Sequence, residues 1–388
     1  MTETLMDDDY AEELLGTERA SKKQYWQYLI IIGTFLFLPV GQFTIFQEWY
    51  DNEICYYNNK CKHSIGGIDA FNNVISNVPY IVFGLLFILT VKFSRKANPG
   101  CGIHRDHSLH YAMGICLILV GMFSGLYHVC PSPLNFQFDT VFMFISGAIT
   151  FLTIYHKRHK QKIPTAFRTY LFLVVVYYIS TVSLIKYKKG AGLGLWIITD
   201  LIIIYVLLHG TANLYYASDF ACTFDLIDKI KDSIRNWKFI NKPKLVVVAV
   251  LNVFTISILI YATFENSNVF TDWFLALFVM NMIIYFIYYT IQKVLHNETV
   301  MWYIWVLMVI DVIIVSAALL FFTHSVSNKF LTHEESDKLN EPCALFGYFD
   351  YHDIWHLLSS IGLYIFMNII YFIDNDLIDH PRTSIPVF

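Results

Sequence analysis

Apolar residues along this chain gather into stretches of roughly 20, the length a helix needs to cross a bilayer core about 30 Å thick. Ten stretches qualify, near residues 25–46, 72–92, 109–130, 135–155, 167–186, 193–215, 244–264, 271–292, 301–322 and 350–372. Trp, Tyr and Lys stand at many of their ends, where interfacial anchors belong. Pro131-Ser132-Pro133 joins the third and fourth stretches in a tight turn, which predicts an antiparallel hairpin. No clean internal repeat is visible. The pattern predicts an all-α fold, a polytopic membrane bundle of about ten transmembrane helices.

Composition agrees. Of the 388 residues, 56% are hydrophobic and 15% charged, where a soluble domain carries about a quarter charged. The net charge of -4 advertises no basic nucleic-acid surface. Seven cysteines are too few for a disulfide scaffold. The first 24 residues are polar and include Asp7, Asp8 and Asp9, so no cleavable signal is read there and a disordered cytosolic tail is expected.

With that tail inside the cell, ten spans over residues 25–375 put 20 of the 27 Lys and Arg on the cytosolic side. The C-terminal tail, 376–388, is then cytosolic as well. A basic cytosolic loop falls at about 217–243, and its run at 229–244 suits anionic lipid. Outer loops fall at about 47–71 and 323–349. Cys55, Cys61, Cys130 and Cys343 share that outer, oxidising side and admit two disulfides in three pairings.

Ionisable groups inside a membrane are costly and mark function. His352 and His356 open the last stretch four residues apart, so a helix puts them on one face. That spacing lets two imidazoles reach one metal at about 2.0–2.1 Å. Taken alone, two interfacial histidines without a ligand would look the same. Ser124 and His128, also four apart, end the third stretch, where a lone histidine bonded to water is the alternative. Asp139 lies one to two turns into the fourth, where a structural carboxylate bonded to Ser or Tyr is the alternative.

Topology couples these groups. His128 ends an outward helix, Asp139 follows the Pro turn, and His352 and His356 start another inward helix, so all four share one depth near the outer face. Three histidines with an open position make a catalytic zinc pattern, and zinc lowers the pKa of bound water to about 7. Asp139 is expected to hold that water or act as base, and Ser124 to bond Asp139 or a substrate oxygen. His104, His107, His156 and His159 sit in basic loops and are expected to be solvated. Asp200 and Asp311 are expected to pack helices or line a cavity.

Five motifs carry a resemblance: Ile54-Cys55-Tyr56-Tyr57-Asn58, Ala70-Phe71-Asn72-Asn73-Val74-Ile75-Ser76-Asn77, Tyr127-His128-Val129-Cys130-Pro131, Asn135-Phe136-Gln137-Phe138-Asp139-Thr140 and His352-Asp353-Ile354-Trp355-His356-Leu357-Leu358-Ser359-Ser360. They resemble the systemic-RNAi-defective (SID) transmembrane family, from about residue 25 to Pro386-Val387-Phe388. That family sits in the wider CREST superfamily with the alkaline ceramidases and adiponectin receptors, which share a Ser-x3-His, Asp and His-x3-His zinc site. The resemblance implies a seven-helix zinc core here, with zinc held by His128, His352 and His356. It implies that Asp139 positions or deprotonates the zinc water and that Ser124 completes the site. Family members usually carry a large extracellular β-sandwich region and one more spanning helix before this core. The polar lead here is expected to run straight into the family's second helix, with that ectodomain absent.

Two functions follow. The site's chemistry points first to a zinc-dependent hydrolase of a membrane-lipid amide or ester bond, ceramidase- or phospholipase-like. Its partners would be sphingolipid, phospholipid or cholesterol. The resemblance implies the alternative: transmembrane uptake of double-stranded RNA, or cholesterol handling, around a structural zinc. A homodimer is compatible with either, in the plasma membrane or in endosome or lysosome.

Overall fold

The computed structural model describes residues 25–50, 52–95, 97–98, 101–103, 107–158, 165–184, 191–217, 226–236, 242–264, 270–324 and 326–386. The expected disordered tail, His104, His159 and parts of the basic loop at 217–243 lie outside the described residues. Among the described residues thirteen α-helices follow one another, without strands beyond isolated bridges. They are α1 (Tyr25–Tyr50), α2 (Phe71–Ile75), α3 (Val78–Phe93), α4 (His107–Val129), α5 (Phe136–His156) and α6 (Ala166–Leu184). Then come α7 (Ala191–Ala217), α8 (Leu226–Asn236), α9 (Lys242–Phe264), α10 (Phe270–Leu295), α11 (Trp302–Phe322), α12 (His333–Asp337) and α13 (Tyr351–Phe372).

Among the described residues eight spans are long and apolar enough to cross a membrane, with α2 and α3 forming one of them. They correspond to eight of the ten expected stretches. The other two stretches coincide with α6 and α7, which are 19 and 27 residues long. The second stretch is not continuous: α2 ends at Ile75 and α3 restarts at Val78. Pro79 is the reason. It has no N–H to donate and stands in the first turn of α3, where that donor is not needed.

The chain divides into two compact units. The first contains α1 to α4, most of α5, and α11 to α13. Its centre is α4, buried along most of its length against α1, α2 and α3. Glycines permit that approach. A β-carbon on Gly84 would meet the Gly114 carbonyl at 2.7 Å, and one on Gly121 would meet the Asn77 carbonyl at 2.8 Å. Within lipid, close backbone packing of this kind replaces the hydrophobic drive that joins helices in water. Gly121→Ala is expected to push α3 and α4 apart at a cost of about 1–3 kcal/mol. Thermal unfolding of the detergent-purified chain reads this, and an unchanged midpoint would count against the contact. On the outside, α11 exposes Val309, Val312, Ile313 and Leu320 as a surface for lipid chains.

The second unit contains α6 to α10. There α9 packs against α7 and α10, and each contact carries a polar clasp. Asn252 donates to Thr211 Oγ1 at 3.0 Å, and Asn281 to Thr255 Oγ1 at 2.9 Å. Such bonds hold helices in lipid at roughly 0.6–2 kcal/mol each. Arg158 grips the Glu298 carboxylate through both terminal nitrogens at 2.7 and 2.6 Å, and Lys293 joins the same carboxylate at 3.0 Å. Both cations are almost fully buried, which their pairing makes tolerable. His156, expected to be solvated, is buried instead. The reason is that α5 runs on to His156 rather than releasing it into a loop. In their own helices Asp200 is buried and Asp311 half-buried.

Candidate metal centre

The helix α13 begins on a carboxylate pair. The Asp350 carboxylate accepts from the Asp353 N–H at 2.9 Å, and the Asp353 carboxylate accepts from the Asp350 N–H at 3.1 Å. This reciprocal box satisfies early N–H groups and fixes where the helix starts. Both aspartates are fully buried, and amides surround them. Asn58 and Asn73 donate to Asp350 at 3.2 and 3.4 Å, and Asn72 donates to Asp353 at 3.0 Å. Sequence reading assigns these five residues no role, although Asp350-x-x-Asp353 is itself a capping pattern. Their lattice sets the rotation of α13 about its axis.

With that rotation fixed, His352 and His356 face one way, their ring centroids 4.6 Å apart. His128, in the last turn of α4, meets both, at 5.1 Å from the His352 ring and 5.0 Å from the His356 ring. The Nε2 atoms of His128 and His356 are 2.9 Å apart. One ligand nitrogen from each of the three lies within 4.8 Å of the others. Ring nitrogens that converge in this way need a proton or a cation between them. His128 and His356 are buried, and His352 is half-buried.

His128 is pinned from beyond the helix end. Cys130 is bonded to Cys55, and the Tyr57 hydroxyl donates to the Val129 carbonyl at 2.7 Å. Burial pushes the Tyr57 phenol above its usual range, which keeps it a neutral donor. The Tyr56 N–H donates to the Pro131 carbonyl at 2.7 Å. A second disulfide joins Cys61 to Cys343, so the four cysteines take one of the three pairings the sequence leaves open. Cys61, His63 and Cys343 also cluster within 4.8 Å. The bond between those two sulfurs leaves no thiolate there to bind a metal.

The hairpin turn delivers Asp139. Asn135 donates to the Cys130 carbonyl at 2.8 Å and to Gln47 at 2.7 Å, and the Phe136 N–H donates to the Ser132 carbonyl at 3.1 Å. Asp139 thereby enters the first turn of α5, beside Ser124 and within electrostatic reach of His352. Both side chains are buried, yet Ser124 Oγ and Asp139 Oδ1 complete no hydrogen bond within the chain. Buried polar atoms are rarely left so without a ligand or ion to meet them. The structure therefore brings all five candidate site residues into one neighbourhood at the joined ends of α4, α5 and α13.

Comparison with known proteins matches this chain almost end to end. The family model for the dsRNA-gated channel SID-1 matches residues 3–388. SID1 transmembrane family member 1 of Rattus norvegicus is 31% identical over 412 residues, and its Homo sapiens counterpart is 31% identical over 405. Each alignment covers 98% of this chain. Cholesterol uptake protein 1 of Caenorhabditis elegans is 27% identical over 387 residues, 93% of the chain. The chain spans about half the length of these relatives, 49% of the first two and 50% of the third. From the extent of the family match and the 31% identity, this chain belongs to the SID transmembrane family.

Proposed function

We propose that this chain is a membrane uptake protein with double-stranded RNA as its cargo and a zinc-holding centre at one face of the bilayer. The observation that carries this reading is the family match over residues 3–388, described for a dsRNA-gated channel. Cholesterol is the competing cargo, because the Caenorhabditis elegans relative is named for its uptake. Cells expressing the chain, given labelled double-stranded RNA and labelled cholesterol separately, test both. RNA entry above that of mock cells supports the proposal, cholesterol entry alone replaces the cargo, and entry of neither overturns uptake.

Three features support zinc. Neutral imidazoles are its ligands, the three rings converge on one small volume, and the orphaned oxygens of Ser124 and Asp139 lie beside them. Bound with one position open, zinc supplies a Lewis acid that acidifies water. Asp139 would accept a proton there, and Ser124 would steady the Asp139 carboxylate. That arrangement favours a second reading, zinc-dependent hydrolysis of an amide or ester bond in a sphingolipid or phospholipid. Under it, Asp139→Asn is expected to keep the metal and abolish lipid cleavage. Cleavage retained by purified Asp139→Asn protein would sink the hydrolytic reading.

Both disulfides adjoin the helix ends that carry the histidines. This supports assigning that end to an oxidising, non-cytosolic side, with both termini in the cytosol. The plasma membrane and the endosomal or lysosomal membrane both meet that condition.

A further inference from the structure

A second group of metal-binding side chains includes none of the three histidines. Cys61 and His63 stand in the loop between α1 and α2, and Cys343 in the segment between α12 and α13. One ligand atom from each lies within 4.8 Å of the others, with His63 Nε2 3.5 Å from Cys343 Sγ. The backbone of His63 is held on both sides. Its N–H donates to Asn72 Oδ1 at 3.0 Å, and its carbonyl accepts from the Phe71 N–H at 3.0 Å. Asn72 also donates to the Cys61 carbonyl at 3.0 Å, so one buried amide positions both residues. The His63 ring stacks on Tyr348 at 4.7 Å, and the Tyr348 carbonyl lies 3.7 Å from Cys61 Sγ.

These atoms are spaced as ligands. Zinc bonds imidazole nitrogen at about 2.0–2.1 Å and thiolate sulfur at about 2.3 Å, so a tetrahedral site puts nitrogen about 3.6 Å from each sulfur. His63 Nε2 already stands at that distance from Cys343 Sγ. In the oxidised chain Nε2 donates its proton to the Gly347 carbonyl at 3.2 Å, and moving that proton to Nδ1 bares the lone pair. The covalent bond between the sulfurs is what keeps the set from binding. Two thiolates and one imidazole, with a fourth position for water, suit zinc rather than a hard cation such as calcium or magnesium.

A dithiol reductant frees the set. Cys61 is buried, whereas Cys343 is half-buried between exposed Pro342 and Ala344. One thiolate of the dithiol attacks Cys343 Sγ, the S–S bond breaks, and Cys61 leaves as a thiolate. The second sulfur of the dithiol then resolves the mixed disulfide and releases Cys343. The dithiol ends as its own disulfide, and its two electrons and two protons pass to Cys61 and Cys343. Metal binding releases those two protons to water.

We infer that reduction of the Cys61–Cys343 disulfide turns this pair of loops into a zinc site made of two thiolates and the His63 imidazole. Bridge and metal exclude one another, and the site stands whether or not the three-histidine centre holds zinc. Tests use the full chain in dodecyl maltoside with cobalt as the probe. Sulfur-to-cobalt charge transfer reports thiolate ligands and is silent at an all-histidine centre.

Chain reduced with dithiothreitol, then freed of it under argon, is expected to gain that band with about one cobalt more than the oxidised chain holds, and zinc is expected to displace it. His63→Gln is expected to bind this cobalt at least about tenfold more weakly. Cys61→Ser/Cys343→Ser, which keeps the other five of the seven cysteines, is expected to lose the band. Reduced wild type without the band overturns the site. A full band in Cys61→Ser/Cys343→Ser assigns it to other cysteines and overturns the site as well. Wild-type affinity in His63→Gln overturns the three-ligand set. Should reduction unfold the chain, reduction with zinc in excess over the dithiol decides. A thermal midpoint restored towards the oxidised value supports the site, and loss of the fold with zinc as without it overturns the site.

Discussion

Purified without chelators, the chain is expected to hold about one zinc per molecule, and His128→Ala, His352→Ala and His356→Ala to hold none after dialysis against zinc-free buffer. Each histidine contributes one nitrogen to a group spanning less than 4.8 Å. Removing any ring leaves a two-nitrogen site that water competes for easily. Asp139→Asn and Ser124→Ala should behave differently, because neither residue belongs to the nitrogen triangle. Elemental analysis of all six proteins separates the roles. Zinc retained by the three histidine variants would overturn the ligand set. A wild type without zinc would leave a proton-sharing histidine cluster, and the uptake reading would stand without a metal.

Asn72→Leu is expected to be the most damaging change outside the histidines. The Asn72 amide is fully buried, donates to Asp353 and to the Cys61 carbonyl at 3.0 Å each, and accepts from the His63 N–H at 3.0 Å. Leucine removes all three bonds, one of them to a buried carboxylate, at a cost of about 3–5 kcal/mol. Zinc affinity should fall roughly 10–100-fold as α13 loses its fixed rotation, the range seen when groups behind a metal ligand are removed. The double variant Asn72→Leu/Asp353→Leu should recover part of the thermal stability, because it also removes the buried carboxyl group that lost its amide donor. A double variant no more stable than Asn72→Leu would show that the lattice is not the source of the loss.

The spans are legible in the sequence because lipid demands long apolar stretches, and α11 begins within one residue of its expected start. The three histidines are legible for a related reason. A four-residue spacing fixes a helix face, and counting spans fixes which helix ends share a side of the membrane. The break at Pro79 escapes an apolar count, since hydropathy does not register a missing N–H. The helix α8 escapes as well, because its polar composition hides the helical spacing of Leu226, Ile227, Ile230 and Ile234. Asn58, Asn72 and Asn73 meet their aspartates across 292, 281 and 277 residues, and no local pattern encodes partners so far apart.

The bond between Cys61 and Cys343 closes over 282 residues, and His128 meets His356 across 228. A ribosome delivers the first partner of each pair long before the second. Until residue 343 has been made, Cys61 lacks the partner of its disulfide, and until α13 has been made, His128 faces no companion ring. Oxidation of this pair and loading of the centre therefore mark the end of assembly. A chain halted before Cys343 lacks the second disulfide and two of the three histidines, which distinguishes it from a finished one.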